Sequence, residues 1–221
     1  MANTLEIVFV IDRSGSMHGT ESDIIGGFNS MIREQREKDQ AAFVSVVLFS
    51  DDCKVLYDRV KLTEVSPMTS ADYQTDGCTA LLDALGSAIK HIKNVHKYAR
   101  KEDIPAKTLF VVMTDGLENA SHEYSNLQVK KMVQQQKDAH WEFIFVGADI
   151  DAFASAKSIG MSEKRTVRFS KSKDRFSDCF HAVGEVMACM SRTDLDEEFC
   201  DEAFDDIFNI FNRNSDNQNT N

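Results

Sequence analysis

Residues 7–20 read IVFVIDRSGSMHGT. The apolar run stops at Asp12, and Ser14, Gly15 and Ser16 follow where no core has a use for hydroxyls. Taken from residue 5, the run to residue 11 is almost continuously hydrophobic. That is the pattern of a strand covered on both faces, as in a parallel sheet flanked by helices. Such a strand, closing on one carboxylate and two hydroxyls, is expected to end at a site.

The rest of the chain alternates. Residues 21–39 place Ile24, Ile25, Phe28, Met31 and Ile32 at three- and four-residue steps, with charges on the opposite side, which predicts a helix. AAFVSVVLFS (41–50) reads as a strand, and CKVLYDRV (53–60), after a two-residue Asp-Asp link, as its hairpin partner. An amphipathic helix follows in TALLDALGSAIKHIKNV, then a buried strand in KTLFVVMTDG, a helix near 125–139 and the strand WEFIFVGA. A short helix at 151–158, a last strand around RTVRFS and a helix at about 174–190 complete the series. Strands alternating with helices predict an α/β domain, doubly wound around a mainly parallel sheet. Both prolines, Pro67 and Pro105, fall in predicted connections, which supports these boundaries. Trp141 opens its strand and is expected in the core.

The domain is expected to span residues 1–191. Residues 192–211 then interleave acidic side chains with Leu195, Phe199, Ala203, Ile207 and Phe211 at roughly helical steps. This acidic amphipathic helix is expected either to pack its phenylalanines on the domain or to dock a partner. Residues 212–221 are polar with nothing to bury, so disorder is expected there.

Composition narrows the function. The 221 residues carry a formal net charge of −11, which argues against nucleic acid or an anionic membrane as the main partner. The N-terminus lacks a basic region before its apolar run, and no segment approaches the roughly 20 apolar residues of a membrane helix. Five scattered cysteines form no CxxC pair, which disfavours a zinc site and suits reduced thiols. A soluble, cytoplasmic protein is expected.

In doubly wound sheets, ligands sit outside the carboxyl ends of the strands, where the strand order reverses. Three segments deliver oxygens to such a place: the first strand with Asp12, Ser14 and Ser16, the loop TDGCTALLDAL with Thr79, and the strand LFVVMTDG with Asp115. All are hard donors, suited to Mg²⁺, with Mn²⁺ as a close substitute. Gly15 relaxes the backbone between the two serines, and Gly116 permits a sharp exit after Asp115.

These residues carry a resemblance. D-x-S-x-S after a first apolar strand, a Thr at the start of a later helix and T-D-G after a fourth strand resemble the metal-ion-dependent adhesion site (MIDAS) of von Willebrand factor type A domains. The likeness runs over residues 5–190 and implies a six-stranded sheet with one short antiparallel edge strand, here CKVLYDRV. It implies that Ser14, Ser16 and Thr79 touch the ion through hydroxyls, and Asp12 and Asp115 directly or through water. It also implies an open coordination position that captures an Asp or Glu carboxylate of a protein partner. Cys78 stands where a Gly is expected. Asp76 is either a support of the site or a turn-former. Met17 and His18 read as surface loop residues, or as rim. Glu118, Asn119 and His122 read as rim residues or as ordinary caps and turns.

The chain is similar to the compact stand-alone type A proteins of bacteria and their phages. Self-association is conceivable, with Asp196 or Glu202 of the acidic tail entering a neighbour's site. The alternatives are a metal-dependent hydrolase or phosphotransferase, and a scaffold whose metal is only structural. Position 14 is Ser rather than the second Asp of aspartyl-phosphate enzymes, and no Gly-rich phosphate loop or G-x-S-x-G elbow occurs. The expectation is a binding module that does no catalysis.

Overall fold

Strand β1 (Leu5–Asp12) is buried along its whole length and splits the core in two. Leu5, Ile7, Phe9 and Ile11 point to one face, Val8 and Val10 to the other, as the two-residue period of a strand requires. The computed structural model describes residues 4–148, 151–169, 175–192 and 202–209. Helix α1 (Glu21–Glu37) follows β1, then β2 (Ala42–Phe49) and β3 (Cys53–Lys61). Helix α2 (Leu81–Tyr98), β4 (Lys107–Thr114), α3 (Asn126–Lys137) and β5 (Trp141–Ala148) come next. The order closes with α4 (Asp151–Ser158), β6 (Thr166–Phe169), α5 (Arg175–Met190) and α6, residues 202–209.

The six strands lie in the order β3-β2-β1-β4-β5-β6. All neighbours are parallel except β2 and β3, so the hairpin partner is the antiparallel edge, as expected. The strand order reverses between β1 and β4, which places the crevice of a doubly wound sheet beyond Asp12 and Thr114.

Helices α1 and α5 cover one face. Phe9, Phe28 and Phe180 meet there with ring centroids 5.6–6.2 Å apart. Helix α2 and α3 cover the other face over Val8, Val10, Phe110 and Phe143, with Trp141 stacked on Phe110 as a core residue. Helix α6 lies on the α1/α5 side. Its buried residues are Phe204 and Phe208, whereas Ala203 and Ile207, expected on the inner face, are only half-buried. The larger rings take the core position and rotate the face by one residue. Arg165 sits over the Phe204 ring at 5.0 Å and pairs with Asp205 at 2.7 Å. Leu195, Phe199 and Phe211 lie outside the described residues. None of the helices searched among the described residues is long and apolar enough to cross a membrane.

At the end of the sheet remote from the crevice, Glu6 of β1 is fully buried. It accepts from Arg59 Nε at 2.8 Å, and His96 Nε2 lies 3.3 Å from the same oxygen. Arg59 has φ of 51° where the β2/β3 register shifts, so a bulge aims the guanidinium inward.

The α1/α5 seam depends on Gly27. A Cβ there would lie 2.5 Å from the Phe180 ring, which is locked between Phe9 and Phe28. Gly27→Ala gains about 1 kcal/mol of helix propensity but overpacks at a cost of about 1–3 kcal/mol. Thermal unfolding is expected to show a melting temperature lower by a few degrees; an increase would mean that the aromatic cluster can shift.

Candidate metal centre

Asp12 ends β1 with no exposed surface, and two donors hold its carboxylate. The Ser14 N–H donates to Oδ1 at 2.7 Å, and the Thr114 hydroxyl donates to Oδ2 at 2.5 Å. The Tyr73 hydroxyl donates to the Asp12 carbonyl at 2.5 Å, closing the strand end from a third side. Burial pushes the Asp12 carboxyl above its ordinary value. The hydrogen bonds from Thr114 and Ser14 pull it back, and the Asp115 charge adds to the rise. Burial likewise pushes the Tyr73 phenol far up, so it stays a donor.

The backbone then turns through a short 3₁₀ segment, Gly15–Met17. This brings Ser14 Oγ and Ser16 Oγ to 3.0 Å from each other, and the Ser16 hydroxyl donates to Asp115 Oδ1 at 2.6 Å. Thr79 is buried at the start of α2. A methyl group built on Gly116 would lie 2.9 Å from Thr79 Oγ1, 3.2 Å from Ser16 Oγ and 3.7 Å from Asp12 Oδ2. Oxygens from two separate loops therefore face one small space beside Gly116, and Asp115 of a third loop joins them through Ser16. All five residues expected at the site are brought together there, directly or through one another.

The donor set tests what that space fits. It is three hydroxyls and two carboxylates, all hard oxygens, and a cation beside Asp12 and Asp115 would relieve the unfavourable charge that burial imposes. Among the described residues no group of three or more His, Cys, Asp or Glu side chains is placed to hold a metal. Soft or imidazole-rich chemistry has no counterpart in this set.

The surrounding loops fix the oxygens. The Gly15 N–H donates to the Gly77 carbonyl at 2.9 Å, and the Asp76 N–H to the Arg13 carbonyl at 2.8 Å. Gly77 has φ of +80°, and a Cβ there would meet Asp51 Oδ2 at 2.1 Å. The left-handed residue of this turn is therefore Gly77, and Cys78 beside it is exposed and unstrained, so the Gly expected at position 78 is not needed. Asp76 accepts from the Gly77 N–H at 2.8 Å, the turn-forming role.

One expectation changes. Met17 is not on the surface: it is fully buried in the α1 face of the core, where the 3₁₀ turn drives it. Glu118 and Asn119 take the second of their two expected roles, as caps, and clamp the Asp115 loop to α2. Asn119 Oδ1 accepts from the Thr79 N–H at 2.9 Å, and Glu118 Oε2 accepts from the Leu82 N–H at 2.9 Å. In return, Asp83 of α2 accepts from the His122, Glu123 and Tyr124 N–H groups at 2.7–2.9 Å. His18 is exposed and pairs with Glu21 at 3.3 Å.

Asp83, Thr114 and Tyr73 escaped the sequence reading. Thr114 alone had a local signal, as the T of T-D-G. The other two act across 39–61 residues of chain and leave no local trace.

The reciprocal clamp predicts an effect at a distance. Asp83→Ala strips three loop N–H groups of their acceptor, each bond worth about 1 kcal/mol net. Calorimetric titration with a divalent cation is expected to show binding weakened about tenfold, with Asp83→Asn, which keeps one acceptor oxygen, recovering part of it. Unchanged affinity in Asp83→Ala would mean the loop holds Asp115 without the clamp.

Comparison with known proteins agrees with this geometry. The family model for the von Willebrand factor type A domain matches residues 6–181. No curated protein sequence matches. Among solved structures, the vWF domain of the pilus tip protein Mfa5 from Porphyromonas gingivalis shares 12% identity at TM-score 0.64, over 90% of this chain and all of that one. A von Willebrand factor type A protein from Catenulispora acidiphila shares 14% at TM-score 0.58, over 86% of this chain and 43% of that one. Proximal thread matrix protein 1 from the mussel byssus, solved with a zinc-occupied MIDAS motif, shares 16% at TM-score 0.52, over 92% of this chain and 46% of that one. This chain spans less than half the length of the last two. The family match covers most of the chain and the fold agrees: the protein belongs to the von Willebrand factor type A domain family.

Proposed function

We propose that Asp12, Ser14, Ser16, Thr79 and Asp115 hold a divalent cation, Mg²⁺ or Mn²⁺, and that the site captures an Asp or Glu carboxylate of a protein partner. The observation that carries this is the convergence of Thr79 Oγ1, Ser16 Oγ and Asp12 Oδ2 on the space beside Gly116. A bound ion would keep an undercompensated positive charge where Asp12 and Asp115 reach it through water, leaving the three neutral hydroxyls as its direct protein ligands. Ser14 and Ser16 orient each other, Thr114 keeps the Asp12 carboxylate in place, and Asn119 fixes Thr79 through its backbone. The zinc-occupied MIDAS motif of the mussel protein supports a metal here, with hard oxygens favouring Mg²⁺ for this chain.

A binding role fits better than turnover. Besides the ligands, the nearest titratable groups on the loops are engaged in structure: Glu118 and Asp83 in the clamp, Glu21 with Thr75 and His18. The exposed thiols of Cys53 and Cys78 fit the reducing, cytoplasmic compartment proposed for this chain.

Asp12→Ala and Thr79→Ala are expected to weaken Mg²⁺ binding at least tenfold, with the fold retained by circular dichroism. Gly116→Ala is expected to do the same by filling the space with a methyl group. Unaltered affinity in all three would refute the site. A pull-down from source cells in Mg²⁺ and in EDTA separates the readings: a partner lost in EDTA supports capture, and binding indifferent to EDTA leaves the metal a structural role.

A further inference from the structure

We infer that the partner presents its carboxylate on a basic segment. This rests on the metal-centre reading above and goes beyond it, to the chemistry around the ion. The loops at residues 12–20, 50–52, 73–80 and 115–125 surround the site, and together they contain seven carboxylates and one guanidinium, that of Arg13. Arg13 is already paired with Asp52. A dication leaves this end of the sheet strongly negative, on a chain whose net charge is −11.

Placement makes the imbalance matter. Asp51, Asp76 and Glu123 are exposed, and two of them stand on turns that touch the ion loop. Asp51 Oδ2 accepts from the Cys78 N–H at 3.1 Å, and the Asp76 N–H donates to the Arg13 carbonyl. Glu123 follows directly on the clamp to α2. The turns of Asp51 and Asp76 are hydrogen-bonded to the loops that carry the ligands, so their charges act on a ligand that reaches the ion, over a Debye length of ~8–10 Å. A carboxylate flanked by further acids meets the ion's attraction and the rim's repulsion together. One flanked by Lys or Arg meets attraction from both.

Leu117 adds a second, independent contact. It follows Gly116 on the loop that carries Asp115 and is 58% exposed. An exposed leucine beside a polar site is a ready contact for one apolar side chain of a partner. The segment that fits has an Asp or Glu with basic neighbours and an adjacent apolar residue. The same charges oppose a second copy of this chain as the occupant, because its tail segment 193–202, TDLDEEFCDE, is acidic.

The test uses the full chain loaded with Mn²⁺ and two synthetic peptides. One is a ten-residue sequence with a central Asp, an adjacent Leu and four Lys or Arg; the other is TDLDEEFCDE. Mn²⁺ binding is titrated first and separately, so its failure counts against the metal-centre reading alone. With the ion bound, fluorescence anisotropy is expected to show the basic peptide binding at least tenfold tighter in low salt. That margin should shrink as NaCl is raised, and in EDTA the basic peptide should bind at least tenfold more weakly. A variant combining Asp51→Asn, Asp76→Asn and Glu123→Gln keeps the side-chain shapes and is expected to lose most of the preference while still binding Mn²⁺. Equal binding, preference for the tail peptide, no binding of the basic peptide, or a preference that survives the triple variant overturns the inference. Preference for the tail peptide would instead identify a second copy as the occupant.

Discussion

A carboxylate without exposed surface at the end of a buried strand must be given partners, and much of this structure does that for Asp12. An ionised carboxylate taken out of water costs several kcal/mol unless hydrogen bonds or charge compensate it. The compensation comes from two directions: the chain's own turn through the Ser14 N–H, and the neighbouring strand through Thr114. Only the strand next to β1 on the far side of the order reversal can supply the second. The reversal between β1 and β4 thus sets both the open crevice and the support of the residue at its floor.

Around that floor the protein relies on loop-to-loop hydrogen bonds more than on packing. Thr79 is fixed through its backbone by Asn119, forty residues away, and Gly15 leans on Gly77. The α2 N-terminus has no cap from its own Ala80. Glu118 and Ser121 supply that cap from the Asp115 loop instead. A helix end needs acceptors for its free N–H groups in any fold. Meeting that need from the Asp115 loop couples the position of one ligand loop to the start of the helix that carries another. The structural requirement and the geometric one are met by the same side chains.

The sequence is informative wherever a local pattern has a local cause. The apolar run before Asp12, the D-x-S-x-S series and T-D-G are each contained in a few residues, and the elements they mark appear within one or two residues of expectation. Helix α3, expected near 125–139, runs Asn126–Lys137 behind an equally local capping box of Ser125 and Gln128 that escaped the sequence reading. Other features depend on distant residues. Glu6 sits in a run that looks wholly buried, and its partners Arg59 and His96 lie 53 and 90 positions away. Met17 looks like a loop residue because the 3₁₀ turn that buries it has no composition of its own. In α6 the four-residue step was legible, but ring size selected Phe204 and Phe208 over the neighbouring stripe. Glu118 and Asn119 look the same in sequence whether they face solvent or cap a helix, because both roles need a short polar side chain.

On the proposed reading, two electrostatic effects of different range divide the work. The ligand oxygens act within about 3 Å, where water and salt do not intervene and the Coulomb term is largest. With the two carboxylates acting through water, the neutral hydroxyls leave the ion with charge to offer a partner's carboxylate. The rim acids act at roughly a Debye length, where ionic strength tunes them. They add little to capture itself but raise the cost of a wrongly charged neighbour, a repulsion that discriminates between ligands. A site made only of the five ligand residues would accept any exposed acidic side chain, including those of this acidic protein. Negative charge placed around the ion, rather than on it, keeps the capture strong while excluding the protein's own surface.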